Sequence, residues 1–163
     1  MMEGIFLLLG SNLGDRKKFL SLAREAIGKE VGSIETSSAV HESSAWGLTK
    51  QPDFLNQVIL VKTSLTPFKV LSKIQEIELD LGRERFEKWG PRIIDIDILY
   101  FGNLIINSEN LIIPHPGIPE RRFTLEPLKE VAPDFVHPVL QKTNSELLDL
   151  CKDSLGVQAF LET

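Results

Sequence analysis

The chain has one cysteine, Cys151, among 163 residues. No disulfide within the chain and no cysteine-built zinc site can form, and a reducing cytoplasm is the expected setting. Long apolar runs are also missing: nothing approaches the roughly 18 residues that cross a bilayer. The short run Ile5 to Leu9 stops at Gly10-Ser11-Asn12 and has no basic lead, so it reads as a strand and not as an export signal. Positive charge is in deficit, 18 Lys plus Arg against 23 Asp plus Glu for a net charge of −5. That balance argues against a nucleic-acid coat or an anionic-membrane binder, both of which need basic surfaces. Aromatic residues are few, with nine Phe, two Trp and one Tyr, so an exposed ring would carry meaning. The glycine-rich nucleotide loops are absent. Gly10-Ser11-Asn12-Leu13-Gly14-Asp15 has neither the Gly-Lys-Ser/Thr of a P-loop nor a dinucleotide fingerprint, and reads as a tight turn between strand and helix. No Ser-His-Asp or Cys-His arrangement is legible.

What is present is 42% apolar residues, and a chain of this length can bury roughly 70% of its unfolded surface. We expect a single domain over residues 1–163. Ile5 to Leu9 gives a first strand, and the spacing of Phe19, Leu20, Ala23, Ala26 and Ile27 gives a helix that Asp15 can cap. Ser33 to Val40 and Phe54 to Thr63 suit two strands. Thr66-Pro67 opens a second helix running to Gly82, and Ile93 to Phe101 alternates as a strand. Short strands are expected at Leu104 to Ile106 and Leu111 to Ile113, with short helices at Phe123 to Val131 and Ser145 to Leu150. The order β-α-β-β-α-β predicts an α+β, ferredoxin-like antiparallel sheet with helices on one face, plus an extra C-terminal hairpin and short helices. Its other face would be open to ligands.

Asp95 and Asp97 stand two apart on a strand and therefore share a face, where they repel unless something positive lies between them. A bare Asp-x-Asp is more often a solvated strand face, yet Arg83, Arg85, Lys88 and Arg92 crowd the segment just before it, against only Glu84 and Glu87. Guanidinium groups fork onto phosphate oxygens, and Mg²⁺ favours one or two carboxylates with phosphates and waters. Together these residues predict a site for a metal and a polyphosphate. Phe54 and Phe123 are candidates to sandwich a flat heterocycle, and Asn56, two residues after Phe54, can read its edge. His115 sits in the rigid turn Pro114-His115-Pro116-Gly117, while Gln75 and Glu78 share a face near the end of the second helix.

The segment Trp89-Gly90-Pro91-Arg92-Ile93-Ile94-Asp95-Ile96-Asp97-Ile98-Leu99 resembles the signature of the 6-hydroxymethyl-7,8-dihydropterin pyrophosphokinase family. The resemblance extends to Leu9-Gly10-Ser11-Asn12-Leu13-Gly14-Asp15, to Gln51-Pro52-Asp53-Phe54-Leu55-Asn56, and to Pro114-His115-Pro116 through Arg121-Arg122-Phe123. It implies transfer of the β,γ-diphosphate of ATP to the hydroxymethyl group of a reduced pterin in folate biosynthesis, with release of AMP. Asp95 and Asp97 would hold two Mg²⁺ ions. Arg83, Arg85 and Arg92 would be the catalytic clamp on the phosphates, and Lys88 stands where an arginine is often found. Pterin would meet Ser43, Ala45, Trp46, Phe54, Asn56, Trp89 and Phe123. ATP would meet Gln75, Glu78, Ile98, His115 and Arg121 beside the basic loop. Asn110 and Pro116 depart from residues seen in some members. We expect a cytoplasmic monomer whose partners are these small molecules, with no nucleic acid and no membrane. A non-catalytic pterin or nucleotide sensor would differ in releasing no AMP, and an RNA-reading sheet is at odds with two aspartates on the central segment.

Overall fold

The computed structural model describes residues 2–43, 53–82 and 93–160. Their elements run β1 (Glu3–Ser11), α1 (Arg16–Glu30), β2 (Ser33–Ser37), β3 (His41–Ser43), β4 (Phe54–Thr63), α2 (Pro67–Asp80), β5 (Asp95–Phe101), β6 (Ile106–Asn107), β7 (Ile112–Ile113), a 3-10 turn (Ile118–Glu120), α3 (Arg122–Val131), α4 (Asn144–Leu150) and β8 (Val157–Ala159). Local chemistry sets the helix starts. The Asp15 side chain accepts from the Lys18 amide and Thr66 from that of Lys69, just after which Pro67 supplies a preset φ. Thr143 and Glu146 form a reciprocal capping box at the head of α4.

β1 lies between β4 and β5 and is antiparallel to both, giving the order β5-β1-β4-β3-β8, with β2 also paired to β4. Glycine and serine do not end β1: it continues through Gly10 and Ser11, which pair with Asn56 and Leu55. The strand expected over Ser33 to Val40 ends earlier, as β2 at Ser37, and β3 starts beyond it at His41, because Ser38 takes over the ladder between them. Its hydroxyl accepts from the Val58 amide and donates to the Ala39 carbonyl, while its own carbonyl accepts from the Gln57 side chain. A side chain that satisfies neighbouring backbone groups in this way interrupts regular pairing. β6 and β7 make the separate hairpin, Ile106 facing Ile113.

The two sheet faces are both covered, which explains why Ile5 to Leu9 is apolar at every position. Ile5, Leu7, Leu9, Ile59, Val61, Ile96 and Ile98 pack beneath Leu20, Ala23 and Ile27 of α1 and Val70, Ile74 and Ile77 of α2. Phe6, Leu8, Val58 and Tyr100 pack against Ile118, Leu125, Leu128, Leu147 and Leu148. Helices on one face therefore describes only α1 and α2. α3 and α4 close much of the second face, and the expected open surface shrinks to the strand ends at Asp95, Gly10 and Asn56.

A single inserted residue shapes β5. Phe6 pairs with Tyr100 and Leu7 with Ile98, leaving Leu99 as a bulge. The bulge flips the alternation, so that Tyr100 joins the face of Asp95 and Asp97 while Phe101 joins that of Ile96 and Ile98. The buried Tyr100 hydroxyl donates to Asn144 Oδ1 at 2.8 Å, anchoring α4 to the edge strand.

Candidate active site

β5 presents Asp95 and Asp97, both half-buried, on one face, with Ile94, Ile96 and Ile98 turned to the α1–α2 core. The register carries the site across the sheet. Gly10 faces Asp95 on one side and Asn56 on the other, and Asn56 in turn faces His41. Neighbouring strands are about 4.8 Å apart, so Asp95 and Asn56 stand about 10 Å from each other across a glycine. From the core side, buried Glu78 of α2 reaches the edge strand between the aspartates, its Oε2 accepting from the Ile96 amide at 2.9 Å. Glu78 thus holds the backbone that aims both carboxylates. Gln75, one turn earlier, is exposed on α2.

The bulge also fixes His115. The Leu99 carbonyl accepts from the His115 amide at 3.0 Å, and His115 Nδ1 accepts from the Gly117 amide at 3.0 Å. With Nδ1 an acceptor, the neutral ring carries its proton on Nε2. Burial pushes the His115 pKa down; Asp97 pulls it up and Arg121 lowers it. The ring is therefore neutral at neutral pH, with a donor to offer. The Arg121 side chain packs closely over the turn, where a Cβ at Gly117 would fall 2.8 Å from Arg121 Nε. This close approach seats the Arg121 guanidinium, whose carbon lies 5.8 Å from the centroid of the Phe123 ring. A cavity of about 280 Å³ adjoins, lined by Leu71, Asp97, Ile98, Asn110, His115 and Pro116 among others. It brings together Ile98, His115 and Asp97, and Asn110 and Pro116 stand in its wall.

On the opposite side of Gly10, Asn56 is 2% exposed and its Nδ2 donates to Ser43 Oγ at 2.7 Å. This fixes which end of the amide faces onward. Phe54 is half-buried at the start of β4, and Phe123 is half-buried at the start of α3. α3 crosses the face from Arg121, beside His115, to Glu130, which meets His41 Nε2 at 3.0 Å. Ala45, Trp46, Arg83, Arg85, Lys88, Trp89 and Arg92 lie outside the described residues.

Three contributors were not legible in sequence. Gly10 is a strand residue of the site row and not a turn. Arg16 donates to the Asp53 carbonyl and to Glu42, both at 2.8 Å, tying α1 to the entry of the Phe54 strand. Leu71 lines the His115 cavity from α2. No local pattern marks these, since each acts through pairing between distant segments. Arg122, adjacent to Arg121, plays a different part, donating to the Cys151 and Asp153 carbonyls and so holding the C-terminal segment.

Among the described residues no group of three or more His, Cys, Asp or Glu side chains is gathered as a metal cage. Two same-face carboxylates suit a hard cation that keeps waters and takes its remaining oxygens from phosphate. Among the described residues no helix is long and apolar enough to cross a membrane.

Residues 6–133 match the family model of 7,8-dihydro-6-hydroxymethylpterin-pyrophosphokinase (HPPK). The chain is 43% identical over 145 residues to 2-amino-4-hydroxy-6-hydroxymethyldihydropteridine pyrophosphokinase of Aquifex aeolicus, covering 89% of this chain and 90% of that protein. It is 38% identical over 160 residues to the protein of the same name from Bacillus subtilis, covering 97% and 96%. Its fold superposes on a crystal structure of Plasmodium falciparum HPPK-DHPS with a TM-score of 0.76 at 18% identity, covering 91% of this chain and 45% of that longer one. The chain thus spans less than half of that protein and nearly all of the two bacterial ones. With the family model spanning most of its length, this chain belongs to the 7,8-dihydro-6-hydroxymethylpterin-pyrophosphokinase family.

Proposed function

We propose that the row Asp95–Gly10–Asn56 and the cavity beside His115 carry out the reaction of this family within one pyrophosphokinase domain. That reaction is ATP-dependent transfer of a diphosphoryl group to 6-hydroxymethyl-7,8-dihydropterin in folate synthesis. The hydroxymethyl oxygen bonds to the β-phosphorus and gives up its proton to solvent, the bridging bond from the β-phosphorus to the α-phosphate oxygen breaks, and AMP leaves.

Each described group has a part in this. Asn56, held by Ser43, reads the polar edge of the pterin, and Phe54 and Phe123 pack on its faces. The nucleotide occupies the cavity of Leu71, Ile98 and His115, where the neutral imidazole donates from Nε2 and Arg121 offers a fixed charge. Glu78 keeps β5 in place, and Gln75 stands at the outer rim of the same helix. Asp95 and Asp97 are the residues that would hold Mg²⁺, and the bound metal supplies charge neutralisation along the triphosphate. Arg83, Arg85, Lys88 and Arg92 precede that strand and clamp the phosphates, with Trp89, Ala45 and Trp46 completing the pterin side. Such chemistry is positioning and charge neutralisation, so no protein nucleophile is required. The βαββαβ frame is read as ferredoxin-like, and the enzyme as a cytoplasmic monomer.

The observation that carries the reading is the register itself, which sets Asp95 and the buried Asn56 amide on one face about 10 Å apart with only Gly10 between, and Asp97 on that same face two residues along β5. The test is product analysis after mixing the chain with ATP, Mg²⁺ and 6-hydroxymethyl-7,8-dihydropterin. One AMP per pterin diphosphate is expected. ADP as product, or unreacted ATP, would defeat it.

A further inference from the structure

We infer that Gly10 is a specificity-determining residue, whose missing side chain lets the flat substrate ring lie against the backbone of β1. This rests on the pterin reading above and deepens it.

A glycine inside a strand weakens it and packs nothing, so it calls for a reason. The fold gives none at position 10. Its φ is not positive, unlike those of Gly14, Gly82 and Gly102, so any residue can adopt that backbone. Nor is it crowded in the way Gly32 is, where a Cβ would fall 2.0 Å from the Lys62 carbonyl oxygen. At Gly10 a Cβ would meet Asn56 Oδ1 at 3.4 Å and Phe54 Cδ1 at 3.6 Å, both ordinary contacts. The protein alone would accept alanine there.

The place of that missing Cβ is what matters. It projects on the face of Asp95 and Asn56, between the amide that reads the ring edge and the phenylalanine that stacks on it. A bicyclic ring with its edge on Asn56 and its one-carbon arm toward Asp95 must cross β1 there. A methyl at position 10 would lift the ring from the strand and separate it from Asn56, while leaving the nucleotide cavity untouched.

Gly4 supplies the control. It lies on the same strand with the same parity, and its Cβ would meet Leu60 Cδ1 at 3.5 Å and Lys62 Nζ at 3.7 Å, away from the site. Pterin and ATP-analogue affinities and the thermal midpoint are to be measured for the wild type, Gly10→Ala and Gly4→Ala, with Mg²⁺ and a non-hydrolysable ATP analogue present for the pterin titration. Gly10→Ala should weaken pterin binding by about tenfold or more, hold ATP-analogue affinity within about twofold, and melt no lower than wild type. Gly4→Ala should leave both affinities unchanged. Pterin affinity within about twofold of wild type in Gly10→Ala would overturn the inference while leaving the pterin reading intact. Failure of Gly10→Ala to fold, or joint loss of both ligands, would overturn it as well by making the glycine structural. A wild type that binds the ATP analogue but no pterin would instead defeat the reading on which the inference rests.

Discussion

Removing the Glu78 carboxylate tests how the aspartate strand is held. Glu78 is 7% exposed and accepts the Ile96 amide at 2.9 Å, on the outer side of an edge strand that has no further strand to pair with among the described residues. A hydrogen bond to a charged group contributes about 1.5–3 kcal/mol, and a buried amide left without an acceptor costs a comparable amount. Glu78→Ala should therefore lose about 2–3 kcal/mol, with the added loss of packing offset in part by removing a buried charge. Glu78→Gln keeps a neutral acceptor and should lose about half as much. With a urea m-value of about 2 kcal/mol/M, the alanine variant's midpoint should fall by about 1 M and the glutamine variant's by about half that. Turnover should fall in the same order, because the strand between the two carboxylates loosens. Equal midpoints for wild type and Glu78→Ala would refute the assignment of this carboxylate as the clamp on β5.

Other perturbations separate the two halves of the site. Asp97→Asn should lower turnover by about a hundredfold or more without lowering the urea midpoint, since it removes one of two repelling same-face charges; a destabilised variant with normal AMP release would contradict it. Asn56→Ala leaves Ser43 Oγ without its donor and should cost about 1–2 kcal/mol of stability, raising the KM for pterin and sparing that for ATP in steady-state assays. His137 gives a pH signature. Burial lowers its pKa from 6.5, and its Nδ1 accepts the Val139 and Leu140 amides. The folded chain then binds fewer protons than the unfolded one below about pH 6.5, so stability falls as pH falls and levels off beneath the folded-state pKa. In urea titrations across this window, His137→Asn should flatten that slope; an unchanged slope would remove His137 as its source.

How much of this was legible in sequence depends on the range of the interactions. Helices α1 and α2 follow from spacing and caps at Asp15 and Thr66, all within a few residues. The shared face of Asp95 and Asp97 follows from strand period alone. The row that joins them to Asn56 does not, because it is set by two registers that link Gly10 to Asn56 and to Asp95, far apart in sequence. The Leu99 bulge escaped for the same reason: its signal lies in the partner strand and in the His115 amide that takes up its carbonyl. Gly10-Ser11-Asn12 has turn composition, and composition misled, since β4 and β5 pair with Gly10 on both sides. The second face read as open because α3 and α4 follow the sheet in sequence, and their apolar residues do not announce where they pack.

The central claim is that Asp95 and Asp97 together hold divalent metal for a triphosphate. Anomalous diffraction from a crystal of the chain grown with Mn²⁺ and a non-hydrolysable ATP analogue tests it most directly. Metal peaks within coordination distance of both carboxylates and of the analogue's phosphates are the predicted result. Nucleotide bound in the His115 cavity with no metal at either aspartate would contradict the account.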